Sequence, residues 1–231
     1  MQPARSGDIF LTETLHPEET ITSFLLIRHG HTRATEEGRL YTDPEAPLTE
    51  QGRHQAAAIA AWLPGQKPDL LLTSPSHRVR STADLIAAVI GIEPQIVAGL
   101  NEWHVGEWEN RTYLDIKKSE PELYARWSAD PIHNAPPGGE SVVDLCARAE
   151  RSLAELIAKH EGKRLALVTH AGIIRGIIVH ALGIPVENFW RIMIPTGSIS
   201  RVDFSVNFAS LHYTGLRPGG ADGKQSSLGR D

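Results

Sequence analysis

Residues 24–30 read FLLIRHG, an apolar run that ends in an arginine, a histidine and a glycine. A short, continuous apolar run is typical of a strand buried on both faces of a sheet. Such a strand usually ends in residues that turn the chain or face water. The run Phe24–Ile27 ends instead in Arg28 and His29, a cation beside an imidazole, and this indicates a functional site at the end of the strand.

Two later apolar runs end in the same way. Leu70–Thr73 continues into a serine–proline pair followed by His77 and Arg78, and Leu165–Thr169 continues into His170. Longer amphipathic segments lie between the runs, and this alternation is typical of an α/β domain with a largely parallel sheet. Because ligands bind at the carboxyl ends of the strands in such sheets, the three segments are expected to line one crevice.

Capping residues mark the ends of the amphipathic segments. Thr49 precedes an alanine-rich helix that is expected to stop at Pro64, and Gly91 ends a second helix. Ser141 with Asp144 resembles a capping box at the start of a third helix. The predicted helices lie at 50–63, 77–90, 142–160 and 173–182, and two closing strands are predicted at 198–204 and 208–213.

The length of the chain fits one large domain or two small ones. The 231 residues are divided into a loose extension at 1–20, a domain at 21–216 and a disordered tail at 217–231. The net charge of −5 argues against a nucleic-acid partner, while clustered arginines still allow an anionic substrate. Cys146 is the single cysteine and cannot form an internal disulfide. No apolar stretch is long enough for a membrane span, so a cytoplasmic protein is expected, and the oligomeric state is not predicted.

Four motifs together resemble the histidine phosphatase superfamily. They are Arg28-His29-Gly30, the Ser-Pro-x-x-Arg that ends at Arg78, the acid Glu102 in LNEWHVGEWEN, and the Thr-His-x-Gly that contains His170. The resemblance covers residues 24 to about 205. It implies a three-layer α/β/α sandwich around a largely parallel mixed sheet, with a helical, lid-like insertion.

The resemblance also implies the catalytic roles. His29 would be the nucleophile that forms a phosphohistidine, His170 would donate to the phosphoryl oxygens, and Glu102 would protonate the leaving oxygen. A nucleophilic histidine must be neutral, and two neighbouring guanidinium groups disfavour its protonation. Glu107 and Glu109 lie close to Glu102 in the sequence, and the simplest interpretation of both is a solvated surface acid.

The phosphate site is implied in the same way. Arg28 and Arg78 would clamp the phosphoryl oxygens, since the planar guanidinium fork binds two oxygens and keeps its charge. Gly30 would let the backbone approach the phosphate, and Thr35 would supply one hydroxyl. Thr35 departs from the family pattern, which commonly has an asparagine there, and His31 stands where an acid or small polar residue is common.

Residues 103–139 are rich in aromatic side chains. They include Trp103, Trp108, Tyr113, Tyr124 and Trp127. One interpretation is that these rings pack an inserted pair of helices onto the domain. The other is a lid that shapes the leaving-group pocket, and the two are compatible.

The sequence is therefore interpreted as a metal-independent phosphoric monoester hydrolase of the histidine acid type, acting on small phosphate esters without a cofactor. A phosphoglycerate mutase using the same phosphohistidine is the nearest alternative, although EWHVGEWEN looks more like the phosphatase branch. A metal-dependent hydrolase is a third hypothesis, suggested by the spacing of His29 and His31.

Overall fold

The computed structural model describes residues 20–40 and 46–219. The strands are β1 Thr22–Arg28, β2 Arg39–Leu40, β3 Leu70–Thr73, β4 Pro94–Ile96, β5 Arg111–Thr112, β6 Arg164–Thr169, β7 Ile199–Phe204 and β8 Ala209–Leu216. The α-helices are α1 Arg33–Glu37, α2 Glu50–Trp62, α3 His77–Ile90, α4 Tyr113–Ser119, α5 Pro121–Ala129, α6 Val142–Lys159 and α7 Ala171–Leu182. Short 3₁₀ turns lie at Leu63–Gln66, Ala98–Leu100, Gly106–Trp108 and Val186–Arg191.

Six of the strands form one mixed sheet in the order β4-β3-β6-β1-β7-β8. Strands β4, β3, β6 and β1 are parallel to one another, while β7 runs antiparallel to β1 and β8 antiparallel to β7. The three strands predicted from their apolar runs are therefore adjacent and parallel in the centre of the sheet. Strands β2 and β5 pair separately as a two-stranded ribbon.

Helices cover both faces of the sheet, which confirms the predicted three-layer fold. Alternate residues of β1 separate the two cores: Phe24 and Leu26 pack in one cluster, and Leu25 and Ile27 in the other. Helices α6 and α7 supply the first cluster, and α2 and α3 supply the second. These four side chains are fully buried, so this part of the strand has no solvent-exposed face.

Three of the four predicted helix starts, those of α2, α3 and α6, are confirmed. The Thr49 hydroxyl accepts from the Gly52 N–H, and Ser141 forms the predicted capping box with Asp144. Helix α3 begins and ends as predicted. Two differences are larger than one residue. The chain does not stop at Pro64 but continues through it in a 3₁₀ turn, whose first two positions need no N–H donor, and α7 begins two residues before Ile173.

The helical insertion is also confirmed, and its aromatic rings pack as predicted. Trp108 and Trp127 meet edge to face with 5.1 Å between ring centroids, and Tyr113 stacks on Trp127 at 5.3 Å. Trp108 is fully buried in the cluster beneath α6 and α7. The rings therefore attach α4 and α5 to the domain, while movement of this segment as a lid stays a prediction.

Most of the predicted extension at 1–20 and tail at 217–231 lies outside the described residues. Within the described ranges, no helix is both long and apolar enough to cross a bilayer.

Candidate active site

The three segments that follow β1, β3 and β6 meet at one edge of the sheet. The parallel register pairs Arg28 with Thr169 and Thr73 with Val168, so the three strands end at the same level. The rings of His29 and His170 come together there, with centroids 5.3 Å apart. The predicted convergence is confirmed.

The His29 ring is held in one tautomer. Its Nδ1 lies 2.8 Å from the carbonyl oxygen of Gly30, which can only accept, so Nδ1 carries the proton and Nε2 keeps a free lone pair. Burial, together with the positive charges of Arg78 and Arg28, lowers the pKa of His29 well below its ordinary value. The ring is therefore neutral near pH 7, as a nucleophile requires.

Two arginines supply positive charge beside His29. The Nη1 of Arg28 donates to the Ile194 carbonyl at 2.5 Å, while its buried Nε has no hydrogen-bond partner among the described residues. Burial lowers the pKa of Arg28 to about 10, so the group stays charged at neutral pH. Arg78 lies at the start of α3, 2% exposed, and hydrogen-bonds to the His170 ring.

His170 is fully buried, and protein groups engage both of its ring nitrogens. Nε2 lies 3.0 Å from the Ser74 hydroxyl, which itself donates to Asn101 Oδ1 at 3.3 Å. Nδ1 lies 3.3 Å from Nη2 of Arg78, which can only donate. This network describes a ring that donates through Nε2 and accepts through Nδ1. Burial and the charge of Arg78 lower the pKa of His170 well below its ordinary value.

Glu102 reaches the same edge from a loop. Its Oε1 accepts from its neighbour's backbone, the Trp103 N–H at 3.0 Å, and from the Gly172 N–H at 3.1 Å. Gly172 lies in the first turn of α7, where unpaired N–H groups and the helix dipole favour a carboxylate. The Oε2 of Glu102 lies 4.0 Å from Nδ1 of His170. The structure thus brings Glu102 to the predicted histidines.

An ion pair between Arg148 and Glu140 holds the loop that carries Glu102. The Nη1 of Arg148 donates to the carbonyls of Gly99 at 2.9 Å and Asn101 at 2.8 Å, and its Nη2 donates to that of Glu102 at 3.2 Å. The Glu140 carboxylate pairs with the same guanidinium. This clamp fixes the backbone on both sides of Glu102.

The structure shows a packing role for Gly30, and its predicted role at the phosphate stays a prediction. Its N–H donates to the Thr82 hydroxyl at 3.1 Å, and a Cβ at this position would lie 2.4 Å from the Gly52 carbonyl oxygen. Glycine is therefore required for the close approach of α2. Thr35 lies in α1, lines the cavity described below, and has its hydroxyl 3.0 Å from that of Thr32.

A cavity of about 490 Å³ opens beside His29. Its lining includes Arg28, Arg78 and Glu102, together with four aromatic side chains: Trp103, Tyr113, Phe189 and Trp190. Arg175 of α7 also reaches the cavity. The insertion thus contributes Tyr113 to the site, in addition to packing on the core.

The side chain of His31, the second histidine of the metal hypothesis, is bonded to α2. Its Nδ1 lies 2.9 Å from the Thr49 hydroxyl, and its backbone N–H donates to Gln55. Across residues 20–40 and 46–219, no three histidine, cysteine or acidic side chains cluster closely enough to hold a metal ion.

The family model for the histidine phosphatase superfamily (branch 1) matches residues 24–215 of the chain. The chain belongs to the histidine phosphatase superfamily. It is 32% identical over 197 residues to the adenosylcobalamin/alpha-ribazole phosphatase of Escherichia coli K12, covering 85% of this chain and 97% of that one. A metal-independent phosphoserine phosphatase of Arabidopsis thaliana is 34% identical, covering 72% of this chain and 71% of its own length.

Solved structures show the same fold. The crystal structure of a putative alpha-ribazole-5'-P phosphatase from Escherichia coli K-12 superposes with a TM-score of 0.79 at 32% identity, covering 85% of this chain and 97% of the other. The family match and these relatives together identify the chain as a phosphatase of the histidine phosphatase superfamily.

Several residues of the histidine phosphatase site were missed by the sequence analysis. Ser74 and Gly172 lie inside two of the quoted motifs, so a signal for them was present. Arg148, by contrast, lies on an amphipathic helix, where a charged residue is normally solvated. Its partner Glu140 gave no signal either, because the pairing depends on how the loop folds back onto α6.

Proposed function

We propose that this chain is a histidine acid-type phosphatase that hydrolyses small phosphate esters without a metal ion, through a phosphohistidine at His29. The observation that carries the proposal is the state of His29: the ring is buried and neutral, and its Nδ1 is bound to Gly30 while Nε2 remains available. The names of the two relatives agree with a small phosphorylated substrate and, for the plant enzyme, with metal independence.

The first step transfers the phosphoryl group to the enzyme. Nε2 of His29 attacks phosphorus, the bond to the ester oxygen breaks, and Glu102 gives its proton to the leaving oxygen. The charges of Arg28 and Arg78 offset the two negative charges of the phosphoryl group, and the buried Nε of Arg28 is a donor for one of its oxygens. His170 supports this arrangement by holding Arg78 through Nδ1.

The second step releases phosphate. The Glu102 carboxylate takes a proton from water as the water attacks phosphorus, the bond between Nε2 and phosphorus breaks, and His29 returns to its neutral form. Thr35 lines the cavity near these groups, and its hydroxyl is a further donor to a phosphoryl oxygen.

Trapping the intermediate tests the proposal. Acid quench of the enzyme with labelled substrate should leave an acid-labile protein adduct, and His29→Ala should lose both the adduct and turnover. The exposed His54→Ala is the matched control and should keep both. Activity should persist in the presence of a chelator. A panel of phosphorylated metabolites should be screened for hydrolysis, and mutase activity should be measured beside it.

Three results would count against the proposal. They are full turnover in His29→Ala, activity lost in chelator and restored by a divalent ion, and a mutase rate that exceeds hydrolysis.

A further inference from the structure

The buried ring of His170 has a partner on each nitrogen, and the partners decide where its proton lies. A neutral imidazole carries one N–H and one lone pair, so either nitrogen can be the donor. Burial lowers the pKa of His170 and keeps the ring neutral. Nη2 of Arg78, which can only donate, lies 3.3 Å from Nδ1. A proton on Nδ1 would therefore set two N–H groups against each other.

The Ser74 hydroxyl, 3.0 Å from Nε2 of His170, does not select a tautomer by itself. A hydroxyl donates as readily as it accepts, so Ser74 alone suits either form of the ring. The side-chain oxygen of Asn101 removes this freedom, because it accepts the Ser74 proton at 3.3 Å. The Ser74 oxygen is then left to accept from Nε2–H.

A hydrogen-bond chain of four side chains thus joins the loop of Glu102 to the phosphate site. Its members, in order, are Arg78, His170, Ser74 and Asn101. All three hydrogen bonds point the same way, from Arg78 towards Asn101, and bonds aligned in this way polarise and strengthen one another. The acceptor at the Asn101 end therefore sets the direction of the whole chain.

The hydroxyl of Ser74 serves the ring and not the strand. The backbone N–H of Ser74 already extends the sheet by donating to the Val168 carbonyl at 3.2 Å, and this contact needs no side chain. Ser74 is 0% exposed, so its hydroxyl depends on protein partners. At the other end Asn101 is exposed, and its carbonyl is held by Arg148.

We propose that Ser74 and Asn101 are positioning residues for phosphoryl transfer: they hold His170 in the tautomer that accepts from Arg78, and so help to fix the Arg78 guanidinium. This inference rests on the proposed function of Arg78 in the phosphate site. The described lining of the cavity beside His29 includes neither Ser74 nor Asn101, so their effect reaches the reaction through Arg78. Because every substrate carries the phosphoryl group, the effect does not depend on the leaving group.

Single-turnover kinetics test the exposed end of the chain. Asn101→Leu removes the acceptor, and we expect it to slow phosphohistidine formation about two- to tenfold, the range that one hydrogen bond supports, equally for alkyl and nitrophenyl phosphates. Ser74→Ala should cost more, because it leaves the buried Nε2–H without an acceptor. Ser76→Ala is the control, since this buried serine of the same loop forms no side-chain cap at α3.

Nitrogen NMR of the enzyme labelled in its histidine rings reads the tautomer directly, which a merely structural role would not change. In the wild type, His170 should carry its proton on Nε2. Arg78→Met removes the opposing donor and should leave this tautomer in place, because Ser74 and Asn101 still select it. Arg78→Met combined with Asn101→Leu should give a mixture of both tautomers. Replacing Asn101→Leu by Asn101→Asp in that background keeps the acceptor and should restore the Nε2–H form.

The outcomes separate this proposal from the phosphatase mechanism. A proton on Nδ1 in the wild type, or a proton on Nε2 alone in the Arg78→Met, Asn101→Leu double variant, would overturn the role of the chain. A loss in Asn101→Leu confined to the alkyl phosphate would also overturn it, because the effect would then act through Glu102. If the wild type forms no phosphohistidine with any ester, the phosphatase mechanism fails, while the NMR experiment still tests the tautomer. Thermal unfolding of each variant checks that the domain is folded.

Discussion

The Glu102 carboxylate accepts a hydrogen bond from the backbone N–H of Gly172 at 3.1 Å, across 70 residues of chain. A Cβ at position 172 would lie 2.4 Å from Oε1 of Glu102 and 3.0 Å from a methyl group of Leu145. The absence of a side chain on α7 thus makes room for the proposed general acid. Since Glu102 is the flexible end of this contact, a larger residue should displace the acid and leave the fold intact.

Gly172→Ala is therefore expected to lower phosphoryl transfer from an alkyl phosphate by about tenfold or more, as part of the roughly 10²- to 10⁴-fold that general acid catalysis contributes. Alanine favours the helix by about 1 kcal/mol, so global stability should not fall much. Single-turnover kinetics and urea unfolding measure the two effects. Gly65→Ala is the control, because nothing lies within 4 Å of its Cβ position. Unchanged transfer in Gly172→Ala would contradict the steric argument.

Glu102→Gln tests the acid itself through the leaving group. An alkoxide is strongly basic and needs a proton as it leaves, whereas a nitrophenolate does not. We expect about a 10²- to 10⁴-fold loss in phosphohistidine formation from an alkyl phosphate and a much smaller loss from nitrophenyl phosphate. The first step must be followed alone, because the second step needs the same group as a base. Equal losses on the two substrates would show that Glu102 is not the general acid, and Glu107 and Glu109 would be tested next.

The sequence was sufficient to locate the site because its strands are buried on both faces. Burial of β1 between two helical layers requires a continuous apolar run, so a charged residue at its end stands out. The same argument identified β3 and β6, and their parallel register placed Arg28, Arg78 and His170 at one edge. Local capping signals located the helices between them.

The sequence was not sufficient where one element approaches another closely. The missing side chain of Gly30 makes room for Gly52 on α2, a contact that no local pattern encodes and that the sequence analysis did not predict. Arg148 looked like any charged residue on a solvated helix face, and its role depends on a loop that returns to α6 from elsewhere in the chain. Both are properties of packing between distant segments.

The two buried histidines make stability depend on pH. The folded-state pKa values of His29 and His170 lie well below the ordinary value of 6.5 because of burial and the charge of Arg78. Below pH 6.5 the unfolded chain therefore binds protons that the folded chain does not, and the free energy of unfolding falls as the pH falls. Each histidine contributes a slope of up to about 1.4 kcal/mol per pH unit until its folded pKa is reached.

Urea unfolding between pH 7 and pH 5.5 measures this slope. His170→Asn should reduce the slope by up to one such increment, whatever its effect on stability at pH 7. His54→Asn, at an exposed position, controls for the loss of any histidine. A slope in His170→Asn equal to that of the wild type would show that His170 is not held neutral by the fold.

Arg148 provides the strictest test of how Glu102 is positioned. Its guanidinium donates to the carbonyls of Gly99, Asn101 and Glu102 while pairing with Glu140, so Arg148→Met should loosen the loop that carries the acid. We expect at least a tenfold loss in the first step with an alkyl phosphate, little loss with nitrophenyl phosphate, and partial recovery in Arg148→Lys.

A double substitution separates positioning of Glu102 from general damage. If Arg148 acts through Glu102, then Arg148→Met should add little to the loss already caused by Glu102→Gln, because two residues in one chain of contacts are not additive. The exposed Arg151→Met, on the same helix, is the matched control and should leave the first step unchanged. If Arg148→Met causes its full loss in the Glu102→Gln background, or slows both substrates equally, then its hydrogen bonds stabilise the domain rather than position the acid.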